Sequence, residues 1–96
     1  MDIADRISSN RDRIVALVAR RRACNPRLFG SVLQGRANAG SDIDILVDAL
    51  PGATLFDLGG LQQDLEDLLG VPVDLLTPGD ISPRFRNQVL TEARPL

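Results

Sequence analysis

The stretch Gly30-Ser31-Val32-Leu33-Gln34-Gly35-Arg36-Ala37-Asn38-Ala39-Gly40-Ser41-Asp42-Ile43-Asp44, continued by Ile45-Leu46-Val47-Asp48, decides how this chain is read. Its second half, from Asp42 to Asp48, alternates acids with β-branched and apolar residues, which predicts a strand. Residues two apart in a strand share a face and stand about 6.6 Å apart. Asp42 and Asp44 therefore lie side by side, while Ile43 and Ile45 turn to the opposite face and anchor the strand. Carboxylates rooted at that distance can lean onto a pair of divalent ions about 3.5–4 Å apart. An oxygen-only donor set at an open site suits Mg²⁺ or Mn²⁺, with substrate phosphates filling the remaining positions.

Upstream, Asn25-Pro26 breaks a helix and Arg27-Leu28-Phe29 reads as a short strand. Gly30-Ser31 follows and opens a short helix to about Gly35. A small residue at such a junction lets backbone N–H groups approach phosphate oxygens, and the helix N-terminus favours their charge. Downstream, Val73-Asp74-Leu75-Leu76 sets a lone acid inside an apolar strand. If that strand pairs beside Asp42–Asp48, Asp74 joins the other two carboxylates on one face. Three clustered carboxylates repel one another, and divalent cations are the usual resolution.

The remaining elements follow from periodicity and punctuation. Ile3, Ile7, Ile14, Leu17 and Val18 predict one helix from residue 2 to about residue 23, with Arg20, Arg21 and Arg22 complementing its dipole. Pro51-Gly52 is a turn. Thr54 with Asp57 resembles a capping box, opening a helix with Leu55, Leu58, Leu61, Leu65 and Leu68 on one face. Gly59-Gly60 inside it calls for a compensation, of which close packing against the sheet is one. Gly70 ends this helix, and Ser82-Pro83 opens a last one to about Ala93. The order αβαβαβα predicts an α/β (α+β) fold, a small mixed sheet of about three to four strands with helices packed on one face.

Composition removes most other chemistry. The 96 residues contain no histidine, and all eleven basic residues are arginines. A His general base, a zinc site built on His, a Walker A lysine and a Schiff base are thereby excluded. Aspartates, hydroxyls, arginines and backbone amides remain, which points to metal-assisted work on phosphates. A net charge of −2 disfavours a general nucleic-acid binder. Apolar runs are only a few residues long and no h-region opens the chain, so neither a membrane span nor a signal peptide is expected. The lone Cys24 forms no internal disulfide, which fits the cytoplasm.

Gly30-Ser31 placed before Ser41-Asp42-Ile43-Asp44, with Asp74 beyond, resembles the nucleotidyltransferase superfamily related to DNA polymerase beta. More closely it is similar to the minimal nucleotidyltransferases, whose pattern is Gly-Ser-x-Ala-Arg-Gly-x-Ala-x-x-x-Ser-Asp-Ile-Asp. The resemblance runs through Val73-Asp74-Leu75 to Pro83-Arg84-Phe85-Arg86, and implies a single domain over residues 1–96. It implies a polymerase beta-like core in which Asp42, Asp44 and Asp74 are catalytic and hold two Mg²⁺ ions. Gly30, Ser31, Gln34, Arg36 and Ser41 would bind the nucleotide, with ATP expected. Two positions depart from the pattern: Leu33 where a small residue is usual, and Gln34 where a basic one is common. Gln34 cannot neutralise a triphosphate, so weaker nucleotide binding is expected.

The resemblance further implies a partner. Minimal nucleotidyltransferases pair with HEPN-domain toxins, and such antitoxins are associated with AMP transfer onto a toxin tyrosine. No membrane and no template nucleic acid is expected, and self-association is left open. The alternative is an antitoxin, weak or inactive as a catalyst, that neutralises its toxin by binding alone.

Overall fold

A computed structural model describes residues 3–30 and 43–96 of the chain. The expected helix from Gly30-Ser31 to Gly35, and Asp42 at the start of its strand, lie outside those residues or at their border. Two helices open the structure, α1 (Ile3–Ser9) and α2 (Arg11–Arg20), where one helix to about residue 23 was expected. The interruption is at Asn10. Its backbone N–H donates to Ile7 O at 3.1 Å and its Nδ2 to Arg6 O at 2.8 Å, closing the first helix. Its own carbonyl accepts from Ile14 N–H at 2.9 Å and starts the second. Asparagine offers the backbone an alternative to the helical ladder, and here it takes it.

Strand β1 (Ala23–Phe29) begins four residues earlier than Arg27, the expected start, and runs through Asn25-Pro26. The register against its neighbour shifts between Cys24 and Arg27, and Asn25 has φ +56°. Such a bulge accommodates a proline, whose missing N–H would otherwise break the ladder. Strand β2 (Ile43–Ala49) follows the expected alternation, and a turn at Pro51-Gly52 leads to helix α3 (Leu55–Leu69). The capping box at its head is formed: Thr54 Oγ1 accepts from Asp57 N–H, and the Asp57 carboxylate accepts from Thr54 N–H at 2.9 Å. Gly70, at φ +72°, closes the helix as expected.

Strand β3 (Val73–Leu76), a 3₁₀ turn (Pro78–Asp80), helix α4 (Pro83–Glu92) and strand β4 (Arg94–Pro95) complete the order. The sheet is mixed, in the order β3-β2-β1-β4, with β2 and β3 parallel and the other pairs antiparallel. β4 is an addition to the expected order. Two residues, one of them proline, carry no strand pattern.

Ile43, Ile45 and Val47 on β2 pack with Ile3, Ile7, Ile14 and Val18 of α1 and α2 and with Leu61, Leu65 and Leu69 of α3. Leu58 and Leu68 flank that stripe, but Leu55, expected on it, is 86% exposed. Its turn is held by the capping box instead of by burial. Among the described residues no helix is long and apolar enough to cross a membrane.

The two glycines inside α3 differ. A Cβ on Gly60 would come within 2.7 Å of the Arg21 guanidinium, whose Nε donates to Asp64 at 3.0 Å. Gly60 thus makes room for Arg21, just past the end of α2, and the expected packing against the sheet is not its reason. Gly59 has nothing within 4 Å of such a Cβ, and the structure does not explain it. Gly59→Ala should therefore raise stability by about 0.5–1 kcal/mol. Gly60→Ala should gain less or lose, since it displaces Arg21 from Asp64. Urea unfolding of the two variants separates them.

Candidate active site

The alternation of β2 assigns its acids to a face. Ile43, Ile45 and Val47 enter the core under the helices, so Asp44, Leu46 and Asp48 point the other way. Register then lines up the neighbours. Asp44 stands opposite Phe29 of β1 on one side and Asp74 of β3 on the other. Adjacent strands lie about 4.8 Å apart. Asp44 is half-buried and Asp74 exposed.

Gly30 ends β1 at φ +74°, in the left-handed region that glycine enters without penalty. A Cβ at this position would run into the carboxylate of Asp44. Gly30 therefore serves Asp44 directly, by leaving its carboxylate room at the strand end. This reason was not legible in the sequence, where Gly30 was assigned only to phosphate approach.

The structure thus brings together three of the expected site residues: Gly30, Asp44 and Asp74. Ser31, Gln34, Arg36, Ser41 and Asp42 lie outside the described residues. Among the described residues no group of three or more His, Cys, Asp or Glu gathers to hold a metal. The donor set that is described, two carboxylates in lateral register with space kept clear by a glycine, fits a hard divalent cation. An apolar cavity between α1 and the β1–β4 edge, lined by Ile7, Leu28 and Leu96 among others, shares no residue with this row.

A second row on the same face, Arg27–Leu46–Leu76, runs beside the acids, with Leu46 fully buried. Arg27, 9% exposed, reaches along the face to Asp48, donating from Nη2 to Oδ1 and from Nη1 to Oδ2, each at 3.2 Å. Asn25 Nδ2 also donates to Asp48 Oδ2, at 3.1 Å. The hydrogen bonds from Arg27 hold the Asp48 carboxyl below its ordinary value of 3.8, against desolvation, with Asn25 and the Arg27 charge adding. Sequence reading gave Arg27 no role, and only the pairing of β1 with β2 reveals one.

A folded-state value below the unfolded one means stability that is present above about pH 4 and lost as pH falls through the lower value. Asp48→Asn should therefore flatten the acid limb of stability and lower the neutral-pH unfolding midpoint, because the buried Arg27 charge loses its partner. Urea midpoints at pH 7 and pH 3 test this. The gap between variant and wild type should narrow at pH 3.

Residues 26–96 match the protein family described as nucleotidyltransferase domain. A Methanocaldococcus jannaschii protein, provisionally assigned as a protein adenylyltransferase, is 34% identical over 87 residues, covering 91% of this chain and 94% of its own. A solved structure provisionally described as a minimal nucleotidyltransferase superposes with a TM-score of 0.88 at 44% identity, over 100% of this chain and 97% of the other. A crystal structure of a toxin–antitoxin with AMP-PNP superposes with a TM-score of 0.74 at 31% identity, over 90% of this chain and 71% of that one.

Proposed function

The chain belongs to the nucleotidyltransferase domain family, and from that premise we propose that it moves AMP from ATP onto a tyrosine hydroxyl of a HEPN-domain toxin, acting as its antitoxin. The observation that carries this reading is the lateral register of Asp44 with Asp74 beside Gly30. The likeness to a protein assigned to adenylyl transfer onto protein, and to a toxin–antitoxin pair holding a nucleotide analogue, supports the acceptor class.

Asp44 and Asp74, with Asp42, are the residues that would hold two Mg²⁺ ions. The ions supply charge neutralisation on the transferring phosphoryl group and a more acidic acceptor hydroxyl. This chain's own contribution is position and exclusion of competing geometry. Gly30 keeps the strand end small, so phosphate oxygens can reach backbone N–H groups, and Ser31, Gln34, Arg36 and Ser41 are the residues that would complete the nucleotide contacts. The acceptor oxygen forms its bond to the α-phosphorus as the bond to pyrophosphate breaks, so no covalent link to this chain is needed. This chain holds no tyrosine, so a tyrosyl product would form on the partner.

The test is intact mass spectrometry of this chain mixed with its toxin, ATP and Mg²⁺. A gain of one AMP on the toxin, dependent on Mg²⁺, is expected. Neutralisation of the toxin with no mass gain on either chain would establish the second reading, a binding antitoxin, which Gln34 in place of a basic residue favours.

A further inference from the structure

β3 is an edge strand, yet its outer side is occupied. In its parallel pairing with β2, Ile43 N–H donates to Pro72 O at 3.0 Å, and the ladder uses alternate residues of β3. Val73 and Leu75 therefore turn their N–H groups outward, on either side of Asp74. Both meet helix α3. Glu66 Oε2 accepts from Val73 N–H at 2.8 Å, and Gln62 Oε1 accepts from Leu75 N–H at 3.4 Å.

The match is one of pitch. Four residues of helix rise about 6 Å, close to the roughly 6.6 Å between alternate strand residues. Side chains at positions four apart on α3 can thus address successive outward amides of a strand running beside it. Glu66 is also firmly placed. Leu65 and Leu69 beside it are buried, and its carbonyl accepts from Gly70 N–H at 2.8 Å in the turn that returns the chain toward β3. The shorter bond is the charge-assisted one, so Glu66 is the stronger of the two.

We propose that Glu66 and Gln62 are positioning residues for Asp74, holding the outer edge of β3 at the residues before and after it so that the Asp74 carboxylate stays in register with that of Asp44. This rests on the reading of Asp44 and Asp74 as acids that hold a divalent cation. Outer partners of metal-holding groups commonly set affinity by about tenfold or more. Here the partner acts on the backbone that carries the acid.

The experiment titrates isotope-labelled wild type, Glu66→Ala, Glu66→Gln and Gln62→Ala with Mn²⁺, following the Asp44 and Asp74 carboxyl carbons and the Val73 and Leu75 amides by NMR. In the wild type Mn²⁺ broadens both carboxyl signals. In Glu66→Ala the Val73 amide exchanges faster with solvent, and broadening of Asp74 needs on the order of tenfold more Mn²⁺. Glu66→Gln restores both, because its side-chain carbonyl accepts the same bond. Gln62→Ala shifts Asp74 in the same direction by less, and serves the test if Glu66→Ala does not fold. Equal Mn²⁺ response in all the folded variants overturns the positioning role, as does failure of Glu66→Gln to restore what Glu66→Ala loses. No broadening at either aspartate in the wild type overturns instead the metal reading beneath it.

Discussion

Asp44→Asn should reduce nucleotidyl transfer by about a thousandfold or more while leaving the chain folded. The amide keeps the shape of the side chain but loses the charge that a divalent cation requires. Neutralising a transferring phosphoryl group is worth several kcal/mol, and about 4 kcal/mol corresponds to a thousandfold in rate. The chain should stay folded, because asparagine keeps the size and shape of the half-buried Asp44 side chain. The measurement pairs the rate of mass gain on the partner with a urea midpoint for this chain. Transfer persisting within tenfold of wild type would remove Asp44 from the site.

Gly30→Ala should cost both stability and activity, and a matched glycine separates the two. Gly30 and Gly70 have φ of +74° and +72°, so an alanine at either pays the left-handed penalty of about 1–2 kcal/mol. Their surroundings differ. At Gly70 the added Cβ would lie 3.7 Å from Arg6 Nη1, an ordinary contact, whereas at Gly30 it would displace the Asp44 carboxylate. Both variants should unfold at lower urea. Only Gly30→Ala should lose transfer, by at least about a hundredfold, since a misplacement near 1 Å can cost that much. Equal activities in the two would mean that Asp44 tolerates a shift, and the room kept by Gly30 would have no catalytic meaning.

What could be read from the residues divides along physical lines. Signals local to a few positions were legible: the alternation of β2, the Thr54–Asp57 box, the left-handed stop at Gly70 and the acid within β3. The break at Asn10 was not. Ile7 and Ile14 are seven apart, a spacing that suits one continuous helix as well as two. Pro26 reads as the end of the preceding helix, and its place inside β1 shows only once the bulge beside it is known. Leu55 satisfied helical spacing, but periodicity cannot tell how far the partner surface extends. At the site, Asp44 and Asp74 were legible as types and spacing, and their lateral match came from the register of the parallel pair. Glu66 and Gln62 gave no signal. On a helix surface they look like any solvated polar residues until β3 is laid beside them.

The occupied outer side of β3 also bears on how this protein behaves in concentrated solution. Bare amides along a sheet margin are templates on which another chain can nucleate a fibril. Here Val73, Leu75 and then Thr77 each donate to a side chain of the same molecule, the last to Asp80 Oδ2 at 2.9 Å. The opposite margin is the two-residue β4, which includes Pro95. Among the described residues, neither border offers a long run of unused donors to a second molecule. Mutations that strip Glu66 and Gln62 together should therefore show themselves as turbidity and thioflavin-positive aggregate in the test tube, before any loss of helix is seen.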